Sequence, residues 1–433
     1  MLAEQPPGTK GSLMQQWTIE NLSETIMTFE ALDTGSKQEL LAMMNNDFPV
    51  STYESHRTMR RNALAQANRI KELIGSGKQQ FPPFVTTESL SISSEALGGF
   101  SVVFTAGGEG ERLRTSLEKQ GVPKSALADF TKATFGLPGF PEGIGTLPVN
   151  LLMMADICRR TGLDIPVIIT TGPSGSVTAR VIPAMVEKHR NFGLKHLCII
   201  EQDERLFLTN DEQIVVQQGA SGLRPITHPD ETGGPIMKLK AVDPATGRSA
   251  LDWMKQSGCT KTIIVQATAL YDQSLIPAMA TALGTHDCLG VGILRGAFPP
   301  SDPYGTYVSI TSGENTSLQI IEQDVRNDAT RAVTDASGKW YLPFNTGFYA
   351  FENSHLEENS LPDFATPPKE LLPDLPRSPK IGYAATDMIA LARDPIILTI
   401  DPSLFGVLKN ADDLEKLSVL GKKFGLDTLC RIT

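Results

Sequence analysis

A glycine-rich turn follows an apolar segment near residue 100. Residues 101–106 read Ser-Val-Val-Phe-Thr-Ala, and residues 107–113 read Gly-Gly-Glu-Gly-Glu-Arg-Leu. Glycines at the carboxyl end of a parallel strand let backbone N–H groups approach phosphate oxygens without an intervening side chain. The candidate phosphate-binding residues of this turn are Gly107, Gly108, Gly110 and Arg112.

A second candidate cation follows the turn. Lys124, preceded by Pro123, is near enough in sequence to reach back over the glycines. Two other glycine motifs fit less well, because the dinucleotide fingerprint requires a glycine where this chain has Leu113, and no GxxxxGK[ST] string is present. A plain strand-to-helix turn is the structural alternative, and the nearby basic residues favour the phosphate interpretation.

Size and composition limit the class of protein. A chain of 433 residues is too long for one compact core, so two or three domains are expected. The net charge of −10 opposes binding to long nucleic acids, which requires clustered Lys and Arg. No apolar run approaches the roughly 20 residues that a membrane span needs. We therefore expect neither a nucleic acid nor a membrane as a partner.

The expected compartment is the cytoplasm. Residues Met1 to Lys10 lack the apolar core of a secretory signal. The five cysteines lie far apart and form no CxxC pair, which argues against a disulfide framework or a zinc site.

Short apolar runs alternate with helical stretches through the middle of the chain. This alternation is typical of βαβ units and predicts an α/β fold with a doubly wound, mostly parallel sheet. The predicted strands are Phe100–Ala106, Pro166–Thr171, His196–Ile200, Thr262–Gln266 and Leu289–Leu294, and the predicted helices include Val149–Thr161 and Ser176–Phe192.

The pattern predicts three regions. Apolar spacings of three and four residues indicate a helical N-terminal region, 1–97, whose structural interpretation is packing or an oligomer surface. Residues 98–356 form the predicted nucleotide- and sugar-binding domain. Residues 357–433 form a small α+β C-terminal domain, which begins with an irregular, Pro-rich stretch at 357–379 and includes a strand at Ile397–Ile400 and a helix at Asp412–Gly421.

Several short strings, in order over about three hundred residues, resemble the UDP-sugar pyrophosphorylase family, which includes the eukaryotic-type UDP-glucose and UDP-N-acetylglucosamine enzymes. Each string alone is weak, and their order strengthens the resemblance. The strings are GGEGERLR at 107–114 followed by Pro123-Lys124, NFGL at 191–194, the strand end Ile200-Glu201-Gln202, HPDETGG at 228–234, FNTG at 344–347 and LKNAD at 408–412.

The resemblance implies a reaction and a set of roles. UTP and a sugar 1-phosphate would give a UDP-sugar and pyrophosphate, with Mg²⁺ as cofactor. The implied contacts are Gln202 with uracil, Gly233 and Gly234 with the base, Asn345 and Gly347 with the sugar, and Lys409 with phosphate. Each position also has a structural alternative: a buried, satisfied glutamine for Gln202, a turn after a strand at Trp340–Phe344 for Asn345, and a solvated surface lysine for Lys409.

The residue chemistry agrees with such a reaction. Attack of a sugar phosphate on the α-phosphorus of UTP concentrates negative charge on the phosphates and on the leaving pyrophosphate, so the site needs positioning and cations more than a protein nucleophile. Arg112 and Lys124 would stabilise the triphosphate and pyrophosphate, and Lys409 would hold the attacking phosphate. The amide of Gln202 offers the donor and the acceptor that the imide edge of uracil requires.

Three positions depart from the family pattern. Residues 266–270 read Gln-Ala-Thr-Ala-Leu where the family has a magnesium-binding aspartate, and the nearest candidate is Asp272, whose alternative is a surface turn. Glu111 replaces a threonine of the phosphate loop, and Glu231 replaces a glycine of the base-binding loop. A carboxylate beside a triphosphate is repulsive unless it points away, pairs with an arginine or holds the metal.

Three functions remain open from the sequence. The first is an active UDP-sugar pyrophosphorylase, with the KNAD string at 409–412 favouring an N-acetylhexosamine over glucose. The second is the same fold with another nucleotide or sugar, or a nucleotide-binding role with little turnover. The third is an unrelated α/β binding or scaffold protein.

Overall fold

The computed structural model describes residues 16–108, 110–219, 222–299, 304–368, 370 and 377–432. The expectations for residues 1–10, for Glu109 and for part of the irregular stretch 357–379 lie outside these ranges.

The helices and strands are as follows. The α-helices are α1 (Ile19–Thr25), α2 (Thr34–Asp47), α3 (Val50–Ser76), α4 (Glu111–Lys119), α5 (Thr146–Thr161), α6 (Val177–Lys188), α7 (Gly234–Lys240), α8 (Ala250–Gln256), α9 (Leu275–Leu283), α10 (Asp328–Ala332), α11 (Asn353–Glu358), α12 (Asp387–Ala390), α13 (Asp412–Lys423) and α14 (Leu426–Ile432). The strands are β1 (Lys78–Gln80), β2 (Phe84–Thr86), β3 (Phe100–Thr105), β4 (Val167–Thr171), β5 (Leu197–Glu201), β6 (Glu204–Leu206), β7 (Val216–Gly219), β8 (Gly222–Pro225), β9 (Thr227–Pro229), β10 (Lys261–Gln266), β11 (Ala269–Tyr271), β12 (Cys288–Arg295), β13 (Thr306–Ser312), β14 (Asn315–Ile321), β15 (Tyr341–Glu352), β16 (Asp363–Ala365), β17 (Ile381–Tyr383), β18 (Pro395–Ile400) and β19 (Phe405–Val407).

The described residues form one large, mostly parallel sheet with the order β2-β18-β12-β15-β10-β3-β4-β5. Strand β15 runs antiparallel to both of its neighbours, β12 and β10, whereas the other neighbours along this path are parallel. The short strands β1, β13 and β14 extend the sheet beside β15. The predicted α/β class with a mostly parallel central sheet is confirmed.

The sheet is covered on both faces, which explains the continuous apolar runs of its strands. Val102 and Phe104 of β3 belong to the hydrophobic cluster that contains α5 and α9, whereas Val103 between them belongs to the cluster that contains α7 and α8. Alternate residues of a strand point to opposite faces, so a strand between two helical layers is apolar at most of its positions on both faces.

Helix α6 is shorter than the helix predicted over Ser176–Phe192. It ends at Lys188. After His189, the backbone of Arg190, Asn191 and Phe192 is left-handed, with φ values of 49°, 55° and 53°. Such angles are costly for residues with a β-carbon and do not continue a right-handed helix. The buried ring of Phe192 stacks on His189 at a centroid distance of 4.9 Å.

The turn after Trp340–Phe344, the structural alternative for Asn345, is a bulge inside a longer strand. Strand β15 continues to Glu352, and its pairing with β12 shifts between Gly290–Tyr349 and Gly292–Asn345. Within this shift Gly347 has φ 77°, a left-handed angle that glycine adopts without the penalty of a β-carbon.

Contacts group the chain into two compact units. One combines Met1–Ala65, Arg205–His228 and Asp363–Ile381, and the other combines Gln66–Glu204, Pro229–Pro362 and Gly382–Thr433. The second unit contains the large sheet. Its strands β1 and β2 come from the predicted N-terminal region and β18 from the predicted C-terminal domain. Both ends of the chain thus contribute strands to one sheet. The division into three linear domains stays a prediction.

The first unit has a core of its own, formed by helices α1 and α2, the start of α3 and residues near β6 and β7. Trp17 and Tyr53 are buried in it with ring centroids 5.5 Å apart. None of the described helices has the length and the apolar composition needed to cross a membrane.

Candidate nucleotide-binding site

The glycine turn begins at the carboxyl end of β3, in the middle of the parallel part of the sheet. The N–H of Ala106 donates to the carbonyl of Thr170 at 2.8 Å and extends the pairing by one residue. At Gly107 a β-carbon would overlap the side-chain amide nitrogen of Gln202 and lie 3.1 Å from the carbonyl oxygen of Thr171. Only glycine allows the turn to pass this close to the end of β5.

The Gln202 side chain lies between two of the predicted nucleotide-binding glycines. A β-carbon at Gly234 would lie 3.3 Å from Gln202 Oε1 and would overlap Asp230. Gln202 is only 6% exposed, and its backbone N–H donates to the Thr171 carbonyl at 3.2 Å. Its side-chain amide makes no hydrogen bond to any residue in the described part of the chain. Gly107, Gln202 and Gly234 are therefore brought together around one amide with unused donor and acceptor groups.

The loop before α7 is held against the segment around Tyr383. The N–H of Gly233 donates to the Tyr383 carbonyl at 2.7 Å, and the N–H of Tyr383 donates to the Asp230 carbonyl at 3.1 Å. A β-carbon at Gly233 would lie 2.7 Å from the side chain of Leu361. Glu231 has φ 59°, an angle that favours glycine. The structure thus gives a backbone reason for a glycine at the position that Glu231 occupies.

Three basic side chains come together beside the other end of the glycine turn. A β-carbon at Gly110 would lie 2.8 Å from Lys132 Cβ. Burial, followed by the positive charges of Lys409 and Arg112, lowers the pKa of Lys132 from 10.5 to about 8, and Asp413 partly opposes the shift. We call Arg112, Lys132 and Lys409 the cation cluster.

The Lys409 segment is attached to α4, the helix that starts at the glycine turn. The N–H of Ala411 donates to Ser116 Oγ at 3.3 Å, and the N–H of Lys409 donates to Asp413 Oδ2 at 3.0 Å. The Lys409 ammonium lies 3.6 Å from the ring centroid of Tyr304, a cation–π contact. These contacts orient Lys409 next to the turn although it is far from it in sequence.

Lys124 is not part of this cluster. It lies exposed in the short 3₁₀ helix Lys124–Leu127 and makes no hydrogen bond or ion pair to a described residue. Sequence reasoning chose Lys124 because of the preceding proline and missed Lys132. The sequence carries no motif that identifies Lys132; its position follows from the structure, where its neighbours Thr131 and Ala133 are buried.

The predicted sugar-binding residues lie together in the bulge of β15. Asn345 Oδ1 accepts hydrogen bonds from the Tyr307 hydroxyl at 2.9 Å and from the Gly347 N–H at 2.8 Å, and its Nδ2 donates to the Tyr349 hydroxyl at 2.8 Å. A β-carbon at Gly347 would overlap the amide nitrogen of Gln266. The amide of Asn345 is thus largely used within the sheet, and its contact with a sugar stays a prediction.

The described residues do not provide a set of ligands that fits Mg²⁺. In the described part of the chain, no three His, Cys, Asp or Glu side chains come close enough together to hold a metal ion. Asp272 Oδ1 accepts from the backbone N–H and the hydroxyl of Ser274 at 2.9 and 2.5 Å, which places this carboxylate in the turn before α9. Glu111 pairs with Arg114 at 3.2 Å.

Comparison with known proteins gives matches among solved structures alone. No protein-family model matches the chain, and no curated protein matches it. A candidate UDP-N-acetylglucosamine pyrophosphorylase from Entamoeba histolytica is 18% identical with a TM-score of 0.62, covering 80% of this chain and 88% of its own. The UDP-N-acetylglucosamine pyrophosphorylase from Trypanosoma brucei, in complex with an inhibitor, is 13% identical with a TM-score of 0.64, covering 90% of this chain and 79% of its own.

A UDP-glucose pyrophosphorylase structure gives a similar match. A point mutant of the Leishmania major enzyme, in complex with UDP-glucose, is 14% identical with a TM-score of 0.58, covering 84% of this chain and 78% of that chain. Identities this low establish the fold alone. The resemblance found in the sequence is confirmed at that level, since most of the chain superimposes on enzymes of the same two kinds.

Proposed function

We propose that this chain, which has the fold of the UDP-sugar pyrophosphorylases, is a uridylyltransferase that joins UTP to a sugar 1-phosphate and releases pyrophosphate. The observation that carries the proposal is the arrangement at the two ends of one glycine turn. Gly107 lies against the Gln202 amide, and Gly110 lies against Lys132 of the cation cluster. A base-recognising group and a phosphate-binding group are thus joined by backbone that can approach a ligand closely.

Gln202 suits a uracil base. An amide presents one acceptor oxygen and two donor hydrogens, which match the N–H and the carbonyl on the imide edge of uracil. Because Gln202 is buried between Gly107 and Gly234, a base that fails to bond with it would leave a desolvated amide without partners. Such mismatches are costly, so a base without an adjacent donor and acceptor is disfavoured. Adenine also presents such a pair, and the preference for uracil therefore follows from the family resemblance.

The cation cluster suits the transfer step. An oxygen of the sugar phosphate forms a bond to the α-phosphorus of UTP, the bond from that phosphorus to the bridging oxygen breaks, and the electron pair leaves with pyrophosphate. Arg112 and Lys132 would stabilise the triphosphate and the leaving pyrophosphate, and Lys409 would hold the attacking phosphate. Fixed cations in a partly buried site are effective because they need no reorganisation when the charge develops. We assign to Lys132 the part that the sequence suggested for Lys124.

For the sugar we propose N-acetylglucosamine 1-phosphate first and glucose 1-phosphate second, from the Lys409-Asn410-Ala411-Asp412 string. Asn345 retains one amide hydrogen that is not used in a described hydrogen bond, and Gly347 beside it has no side chain. Asn345 would donate one hydrogen bond to a sugar hydroxyl, and Gly347 would let the sugar approach closely.

A second candidate is a nucleotide-binding protein with little turnover. It is favoured by the poor fit of the described carboxylates to Mg²⁺, since the family resemblance implies a magnesium-dependent reaction. In this case the same base and phosphate contacts would form, and transfer would be slow.

Two measurements test the proposals together. Binding of UTP, ATP, UDP-N-acetylglucosamine and UDP-glucose is measured by calorimetry and by thermal stabilisation of the full chain, with and without Mg²⁺. Pyrophosphate release is then measured with UTP and each sugar 1-phosphate. Preferential binding of UTP with release of pyrophosphate supports the transferase, and binding without release supports the second candidate. Absence of binding by every uridine nucleotide overturns both.

A glycine variant tests the site directly. Gly107→Ala is expected to weaken UTP binding about tenfold, because the new methyl group displaces the Gln202 amide. Gly75→Ala is the matched control, since a β-carbon at Gly75 meets nothing within 4 Å. Equal UTP affinity in the two variants would contradict the placement of the base.

A further inference from the structure

A small cavity lies outside the nucleotide site, in the unit that contains the large sheet. It has a volume of about 220 Å³ and lies between the second half of α3, strand β14 and helix α12. Gln66, Arg69, Gln319 and Asp387 are its polar lining residues, and the rest of its wall is apolar, including Leu73 and Leu391. None of these residues belongs to the site described above.

The carboxyl group of Asp387 is the unusual feature of this cavity. Its Oδ2 atom is fully buried and has no hydrogen-bond partner among the described residues. Burial raises the pKa of Asp387 from 3.8 to about 7, with no charged group contributing to the shift. A buried carboxylate without a partner is strongly unfavourable, and native proteins rarely retain one without a use for it.

No side chain of the described residues neutralises this carboxyl. Arg69 is the cation that lines the cavity, but it is exposed and forms no ion pair with a described residue. Gln66 and Gln319 also line the cavity, and their side-chain oxygens can accept hydrogen bonds. A donor with several N–H groups and one positive charge would pair with the carboxylate of Asp387 through its more accessible oxygen, Oδ1, and would bond to the amide oxygens.

The shape and charge of the cavity limit the ligand further. About 220 Å³ corresponds to roughly seven waters at about 30 Å³ each, which is the size of a small organic molecule. The apolar wall favours a short hydrocarbon part. The positive charge of Arg69 disfavours a second cationic group on the ligand.

We propose that this cavity binds a small primary monoamine, whose ammonium group pairs with Asp387 and whose hydrocarbon part packs against Leu73 and Leu391. The ligand is recognised as an ammonium ion attached to a short apolar chain. The assignment does not depend on the uridylyltransferase proposal, because the two sites share no lining residue.

The probe is n-butylammonium, added to the full chain at pH 8, where both the amine and Asp387 carry charge. Binding is measured by calorimetry and by the rise in melting temperature. 1,4-Diaminobutane tests the effect of a second charge, n-butanol tests the hydrocarbon part alone, and butyrate tests the sign of the charge. The proposal expects saturable binding of butylammonium, weaker binding of the diamine and of butanol, and no binding of butyrate.

Asp387→Asn is the test variant, and Glu187→Gln, at an exposed glutamate, is its control. Removing a buried, unpaired charge does not threaten folding, so Asp387→Asn is expected to fold and to bind butylammonium about tenfold more weakly or not at all. The control should bind like the original chain. Equal binding to both variants, or butanol binding as tightly as butylammonium, would overturn the proposal.

A double-mutant cycle addresses the internal alternative. If Arg69 turned inward in solution and paired with Asp387, Arg69→Gln and Asp387→Asn would show strong coupling in unfolding experiments. Such coupling would overturn the proposal, because the acid would already have its partner. Additive effects of the two substitutions support it.

Discussion

The region around Gln202 and the bulge of β15 both place a side-chain amide beside glycines, yet they use the amide differently. The Gln202 amide lies between Gly107 and Gly234 and makes no hydrogen bond to a described residue. The Asn345 amide makes three, to Tyr307, Tyr349 and Gly347. An amide with unused groups at the end of parallel strands is ready to bind a ligand, whereas an amide bonded within the sheet stabilises the backbone around it.

The positions of the two regions explain this difference. Gln202 follows β5 at the carboxyl edge of parallel strands, where ligands commonly bind in open α/β sheets. Asn345 lies within β15, the strand that runs against its neighbours and must accommodate a shift in pairing. Substitutions of Gln202 and of the cation cluster should therefore change binding with little loss of stability, whereas substitutions of Asn345 should lower stability with little change in binding.

The largest effect is expected for Lys132→Ala. Loss of a cation that faces developing charge should lower kcat/KM for UTP by about 100-fold or more. The free energy of unfolding should not fall, because burial and the neighbouring charges disfavour the charged lysine in the unliganded chain. Lys124→Ala is the matched control, because Lys124 is exposed and lies outside the cation cluster. Initial rates of pyrophosphate release compare the two. A larger loss for Lys124→Ala than for Lys132→Ala would reverse our assignment.

The second largest effect, a loss of stability, is expected for Asn345→Ala. This substitution removes three hydrogen bonds and leaves the buried Tyr307 hydroxyl without its closest partner, so the free energy of unfolding should fall by about 2 kcal/mol. Urea denaturation measures the change. Tyr307→Phe removes one of the three bonds and should cost less. If Asn345→Ala kept full stability and lost UTP-dependent activity instead, the bulge would belong with the ligand-binding region.

Sequence reasoning succeeded where neighbouring residues determine the structure. The strands near residues 100, 167, 261 and 288 were predicted because a strand buried on both faces reads as a continuous apolar run. The strand near residue 197 has a similar apolar run, although it is only half-buried at the edge of the sheet. The glycine turn was predicted for a similar local reason, since a strand followed by glycines and a helix is itself a recognisable unit. Gln202 was identified through the resemblance of a strand end.

Contacts between distant parts of the chain could not be predicted in this way. Lys132 approaches Gly110 through an irregular stretch whose path no spacing determines, so the choice of Lys124 rested on sequence distance alone. The partners of Asn345 include Tyr307 on another strand. Strand β15 lies between β10 and β12 and is antiparallel to both, within a sheet that is otherwise mostly parallel. β18 pairs with β2 across most of the chain, which no linear division into domains anticipates.

A smaller effect, on pH dependence, would sharpen the comparison for the cation cluster. The pKa of Lys132 is lowered to about 8 by burial and by the charges of Lys409 and Arg112, so this lysine loses its proton as the pH rises above 8. UTP affinity should then fall with rising pH, by up to about tenfold per unit, until the pH exceeds the pKa of Lys132 in the complex, which bound phosphate raises. Calorimetry at pH 7, 8 and 9 measures the trend.

Lys132→Arg is the control for this trend, because arginine keeps its charge throughout the range. The lowered pKa of Lys132 also affects the stability of the unliganded chain. Between pH 8 and 10.5 the unfolded state binds more protons at this lysine than the folded state does, so its contribution to stability rises with pH in that window. A pH-independent affinity in the original chain would contradict a role of charged Lys132 in binding.

The smallest effect is expected at Glu231, in the loop beside Gln202. Its φ of 59° is unfavourable for a residue with a β-carbon, and glycine relieves this strain. Comparing Glu231→Gly with Glu231→Ala separates the backbone from the carboxylate, because both variants lack the acid and only alanine keeps the β-carbon. The glycine variant should be more stable by about 1 kcal/mol in urea denaturation. Since both variants leave Gln202 and the cation cluster unchanged, a loss of UTP affinity common to both would mean that the Glu231 carboxylate itself supports the base-binding loop.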